Sequence, residues 1–89
     1  MTGWVLVVAA DARLQRFMRE ELEDAGYAVE VATSVDAALR WLAVIRPALI
    51  VADEQLPGVD QLHLACRFGP TDPDTAIPLV TVAGALARS

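Results

Sequence analysis

Few side chains in this 89-residue sequence are equipped for chemistry, and the carboxylates come first. Asp53 ends the apolar run Ala48-Leu49-Ile50-Val51-Ala52 and precedes Glu54 and the turn Leu56-Pro57-Gly58. An aspartate at the end of a strand can attack a phosphoryl group and hold it as an acyl phosphate. That reaction spreads negative charge over several oxygens, so it needs Mg²⁺ and fixed donors beside it. Mg²⁺ in turn takes oxygen ligands in an octahedral shell completed by water. Asp11 follows a second apolar run, Trp4 to Ala10. It can cap a helix, which aspartate favours over alanine by about 1 kcal/mol, or serve as a surrogate metal ligand. Glu54 reads as a solvated loop carboxylate. His63 is the sole histidine and has no aligned partners for a catalytic triad. Cys66 is the sole cysteine, which excludes an internal disulfide or a cysteine-built zinc site. It reads as a small apolar residue within a helix.

The elements that must position these groups alternate. Trp4 to Ala10 is a β-branched apolar run, short enough for a strand buried on both faces. Leu14, Phe17, Met18, Leu22 and Ala25 recur at helical spacing, which predicts a helix over residues 12–25 ended by Gly26. Residues 27–32 predict a second strand. Thr33 or Ser34 can cap a helix with apolar positions Val35, Ala38, Leu39, Leu42 and Ile45, closed by Arg46-Pro47. A third strand over 48–52 ends at Asp53. A short helix over 60–68 carries Leu62, Leu64, Ala65 and Phe68, and a polar loop, Gly69 to Asp74, leads to a fourth strand over 77–83. Apolar strands alternating with helices mean a parallel sheet with helices above and below, joined by right-handed crossovers. The expected fold is therefore α/β, three-layered and doubly wound. Its working site should lie beyond the carboxyl ends of the strands.

Composition removes several classes of function. The net charge is −5 and all seven cations are arginines, which argues against a nucleic-acid-binding face. No apolar run approaches the roughly 20 residues that cross a bilayer. No basic segment precedes the first apolar run, so a cytoplasmic protein is expected. No glycine-rich turn follows the first strand (Ala9-Ala10-Asp11-Ala12), against a nucleotide- or flavin-binding protein.

Taken together, Val5-Leu6-Val7-Val8, Glu21-Leu22-Glu23-Asp24-Ala25-Gly26-Tyr27, Ala37-Ala38-Leu39 and Arg46-Pro47-Ala48-Leu49-Ile50 resemble the receiver domains of bacterial response regulators. The most specific piece is Asp53-Glu54-Gln55-Leu56-Pro57-Gly58-Val59-Asp60, which is similar to the segment that follows the family's phospho-accepting aspartate. The resemblance implies a flavodoxin-like fold of strand order 2-1-3-4-5, and a role in two-component phosphorelay signalling with Asp53 at the phosphoacceptor position. It also implies an acidic pair after the first strand, a hydroxyl after the fourth and a lysine after the fifth.

The sequence departs at each of those points. Ala9 and Ala10 fall on the acidic pair, Ala83 falls on the hydroxyl residue, and there is no lysine. Thr81 falls two residues short of the hydroxyl position. Asp11 and Asp53 are the only candidate metal ligands, no cofactor is expected, and Mg²⁺ belongs only to a pocket that still functions. Asp53 reads either as a working phosphoacceptor or as a relic at an inherited position. The expectation is a receiver domain over 1–89, incomplete at its carboxyl end, with order 2-1-3-4 and the fifth strand and last helices missing. It should be no enzyme beyond weak self-phosphorylation. Its expected partners are proteins: a sensor histidine kinase, an output protein and a second copy of itself, through the fourth strand's edge or around Leu14, Phe17 and Met18.

Overall fold

The computed structural model describes residues 3–68 and 77–82. The expected loop from Gly69 to Asp74, the hydroxyl position at Ala83 and the segment 84–89 lie outside them. Seven elements follow in the order β1 (Trp4–Val8), α1 (Ala12–Asp24), β2 (Ala28–Ala32), α2 (Val35–Leu42), β3 (Leu49–Asp53), α3 (Val59–Phe68) and β4 (Leu79–Val82). The four strands form one parallel sheet of order β2-β1-β3-β4, as expected.

The central strand β1 explains why its sequence lacks polar residues. Val5, Leu6, Val7 and Val8 are each no more than 1% exposed, since both faces of the strand are covered. Leu6 and Val8 join Ile50, Ala52, Val35, Ala38, Leu62 and Cys66 in the cluster beneath α2 and α3. Val5, Val7 and Ala9 join Val29, Val51 and Leu14 beneath α1. This is the three-layer arrangement. Each fully buried large aliphatic, such as Leu6, Ile50 or Leu62, contributes about 1.5–3 kcal/mol of transfer free energy.

Helix ends follow from local chemistry. The Asp11 carboxylate accepts a hydrogen bond from the Arg13 amide at 2.8 Å and caps α1. Beyond its last turn, Gly26 takes φ +97°, the Gly26 amide donates to Glu23 and the Tyr27 amide to Leu22. That pair of bonds is the glycine-terminated Schellman closure. Of the two expected caps for α2, Ser34 serves, its hydroxyl accepting from the Ala37 amide at 3.1 Å.

Several boundaries differ from expectation; α1, β2 and α3 shift by one residue at an end, and β4 begins at Leu79, two residues late. β1 stops at Val8, two residues early, because the chain must turn to place Asp11 as a cap; Ala9 still donates to the Ala32 carbonyl. α2 ends at Leu42, so Val44 (76% exposed) and Ile45 (37%) stand outside it. The apolar character of Ile45, at helical spacing from Leu42, extends the sequence pattern past the helix's end. β3 begins at Leu49 and includes Asp53 as its last residue.

Candidate functional site

The parallel sheet brings the ends of β1, β3 and β4 to one rim. Val8 pairs with Ala52, and Asp53 pairs with Val82. Ala9 and Ala10 therefore leave β1 next to Asp53, and the Glu54 amide continues the ladder to the Val82 carbonyl. Asp53 is the only buried charged residue among those described, at 8% exposed. Its Oδ1 accepts from the Gln55 amide at 2.9 Å, a short turn that anchors the carboxylate on its own backbone. The Leu56 amide then donates to the Asp53 carbonyl, and Leu56 itself is buried. The turn closes at Gly58, whose φ of +83° lies in the left-handed region that disfavours a side chain.

The other sequence candidates are arranged around this point. Ala9 is 1% exposed and Ala10 is exposed, so the residues that follow β1 toward the rim bring methyl groups and no carboxylate. Asp11 is a residue further on, acting as the α1 cap. Glu54 is exposed, in keeping with a solvated carboxylate. Thr81 lies within β4 and pairs with Ala52. His63 is exposed on α3 and belongs to no triad there. Cys66 is buried on the same helix, and burial pushes its thiol pKa above the ordinary value. Among the described residues no three histidine, cysteine or acidic side chains gather as a metal site.

Two features of the rim escaped the sequence. The Gln15 side-chain amide, through Nε2, donates to the Ala9 carbonyl, which ties the first turn of α1 to the end of β1. A cleft of about 310 Å³ opens beside the rim, between Ala10, the Ser34 cap, Leu56, Gly58 and Gln61. The cleft depends on segments far apart in the chain meeting, and the Gln15 contact on how α1 turns back onto the end of β1, six residues earlier.

The described geometry is a doubly wound parallel sheet with one carboxylate buried at its rim before a tight turn. The chain belongs to the response regulator receiver domain family, which it matches over residues 5–88. It is 32% identical over 77 residues to the C4-dicarboxylate transport transcriptional regulatory protein DctD of Rhizobium meliloti, covering 86% of this chain and 17% of that protein. It is equally similar, 32% over 77 residues, to the transcriptional regulatory protein PhoP of Escherichia coli O157:H7, covering 86% of this chain and 34% of that one. The solved structure of the bacteriophytochrome response regulator AtBRR superposes with a TM-score of 0.70 at 25% identity, over 99% of this chain and 74% of the other. The chain thus spans about a third or less of the length of these two curated relatives. Receiver domains are signalling modules that meet histidine kinases and output domains, and no described helix is long and apolar enough to cross a membrane.

Proposed function

We propose that this receiver carries Asp53 at the phosphoacceptor position of a degenerate pocket, and that it passes its signal by protein contact without Mg²⁺-assisted phosphoryl transfer. The observation that carries this reading is the pair Ala9 and Ala10 beside the buried Asp53. The residues present do not fit a resident Mg²⁺. One oxygen of the Asp53 carboxylate is held by the Gln55 amide, and Asp11 is engaged as a helix cap. Among the described residues a dication with its water shell would rest on a single buried carboxylate, too little charge to offset its dehydration. Without a cation, the developing charge on a transferring phosphoryl group meets no fixed counter-charge among the described residues of the rim.

Partners under this reading are a sensor kinase or output protein and a second copy of the chain. The test is to expose the protein to a small acyl-phosphate donor with Mg²⁺ and follow its intact mass. Each missing charge-stabilising donor slows such reactions by about 10²–10³, so the adduct should form very slowly or not at all. Calorimetry with Mg²⁺ should show no saturable binding at low millimolar concentration. A prompt, stoichiometric phosphate adduct that disappears in Asp53→Asn would overturn the reading.

A further inference from the structure

Helix α1 carries its charges in the wrong order for a helix standing alone. Arg13, Arg16 and Arg19 occupy its amino-terminal half, and Glu20, Glu21, Glu23 and Asp24 its carboxyl end. Its first turn holds no acid and its last turn no base. The Asp11 cap offsets part of the positive charge at the amino end, but the helix's own amino-terminal half adds only cations to it, and the partial negative charge of the other end meets anions. Pairing within the helix relieves only part of this. Arg16 and Glu20, and Arg19 and Glu23, stand four residues apart, in the weaker order with the cation first. Arg13 has Arg16 and Phe17 at the helical spacings, and Asp24 has Glu20 and Glu21. Neither has an acid–base match on its own helix.

These unmatched groups share a flank. At about 100° per residue, Arg13, Phe17, Glu20 and Asp24 fall in one stripe along α1, with Glu21 at its edge. All five are exposed, and Phe17, the large apolar residue in the middle, is 46% exposed. A cation at one end, acids at the other and an aromatic ring between them make the stripe complementary to itself when reversed.

We propose that this stripe is an interface with a second copy of the chain, the two α1 helices packed antiparallel across a two-fold axis beside Phe17. A two-fold contact brings the same surface to itself, so self-complementarity is what it requires. Each Arg13 then faces the partner's Asp24, the two Phe17 rings meet near the axis, and the helix dipoles oppose one another. Arg13 and Asp24 are separated by roughly 16 Å along the helix, at about 1.5 Å per residue, so both ion pairs close in one contact. The repulsion that each helix carries alone becomes attraction between them. This rests on the self-association part of the proposed function and assigns it a surface.

Sedimentation equilibrium from micromolar to submillimolar concentration tests it, with circular dichroism checking each variant's fold. The wild-type chain should dimerise, less tightly as salt is raised. Arg13→Glu and Asp24→Arg should each weaken the dimer by about tenfold or more, and the double exchange should restore it to within about threefold. Phe17→Ser should weaken it in every background. If Arg13→Glu fails to fold, Arg13→Ala is read in the same way. A wild-type chain monomeric throughout would overturn both the surface and self-association. A dimer indifferent to the single exchanges, or native double variants that stay monomeric, would overturn the surface and leave self-association standing.

Discussion

On one face of the sheet, α2 and α3 lie against each other over Leu6, Val8, Ile50 and Ala52. On the other, α1 is the one described helix over Val5, Val7 and Val51, and Phe17 and Val80 are each left about half exposed. The charge order differs in the same sense. α2 has Asp36 in its first turn and Arg40 in its last, as the helix dipole favours, whereas α1 is reversed. The doubly covered face is built for stability within one chain. The singly covered face leaves Phe17, Val80 and the charges of α1 open to solvent among the described residues.

Truncations in the core should separate the faces most. Leu62→Ala, at a fully buried α3 site, should cost about 2–5 kcal/mol in urea unfolding; Leu14→Ala should fall at the low end of that range, because the half-open α1 face can settle into the gap. Equal losses would mean that the two faces are packed alike. Cys66 gives the same seam a pH dependence. Its thiol binds its proton more tightly folded than unfolded, so its contribution is fully present below the ordinary thiol pKa and is lost as pH rises through the raised one. Stability should therefore fall in alkali, and Cys66→Ala should flatten that fall.

Smaller effects test the rim and the helix ends. Gly58→Ala forces a side chain into the left-handed region and should cost about 1–2 kcal/mol. Ser34→Ala and Asp11→Ala each remove a cap and should cost about 1 kcal/mol. Least of all, Arg13→Glu should stabilise the monomer at low salt by about 0.3–1 kcal/mol while it weakens self-association, whereas Arg40→Glu should destabilise by a similar amount. Thermal melts at two salt concentrations, on dilute protein, read both. A destabilised Arg13→Glu monomer would mean that α1 does not feel its reversed charges.

The fold was legible because each buried strand announces itself. Val5 to Val8 and Leu49 to Ala52 are apolar throughout, and only a strand covered on both faces tolerates that. Asp53 was legible as a strand-end carboxylate before a Pro-Gly turn. Periodicity misled where it could not know what lay opposite. Phe17 fits the stripe of α1 and Ile45 that of α2, yet both are exposed, Ile45 beyond the end of its helix. The cleft beside Ala10 was beyond reach, since it arises from segments joined only in the folded chain, and the Gln15 contact with Ala9 hangs on the angle of the turn between β1 and α1, which no periodicity encodes.

The central place of β1 has a consequence for synthesis. Its neighbours are residues 28–32 and 49–53, so the most apolar strand emerges from the ribosome first and is flanked on both sides only after Asp53 is clear of the exit tunnel. At about 5–20 residues per second, Val5 to Val8 spend seconds without a complete sheet around them. Nascent chains stalled before β3 emerges should be cut readily by protease and held by chaperones, and those stalled well beyond Val82 should resist. In this molecule the first strand made is the one that must wait longest for company.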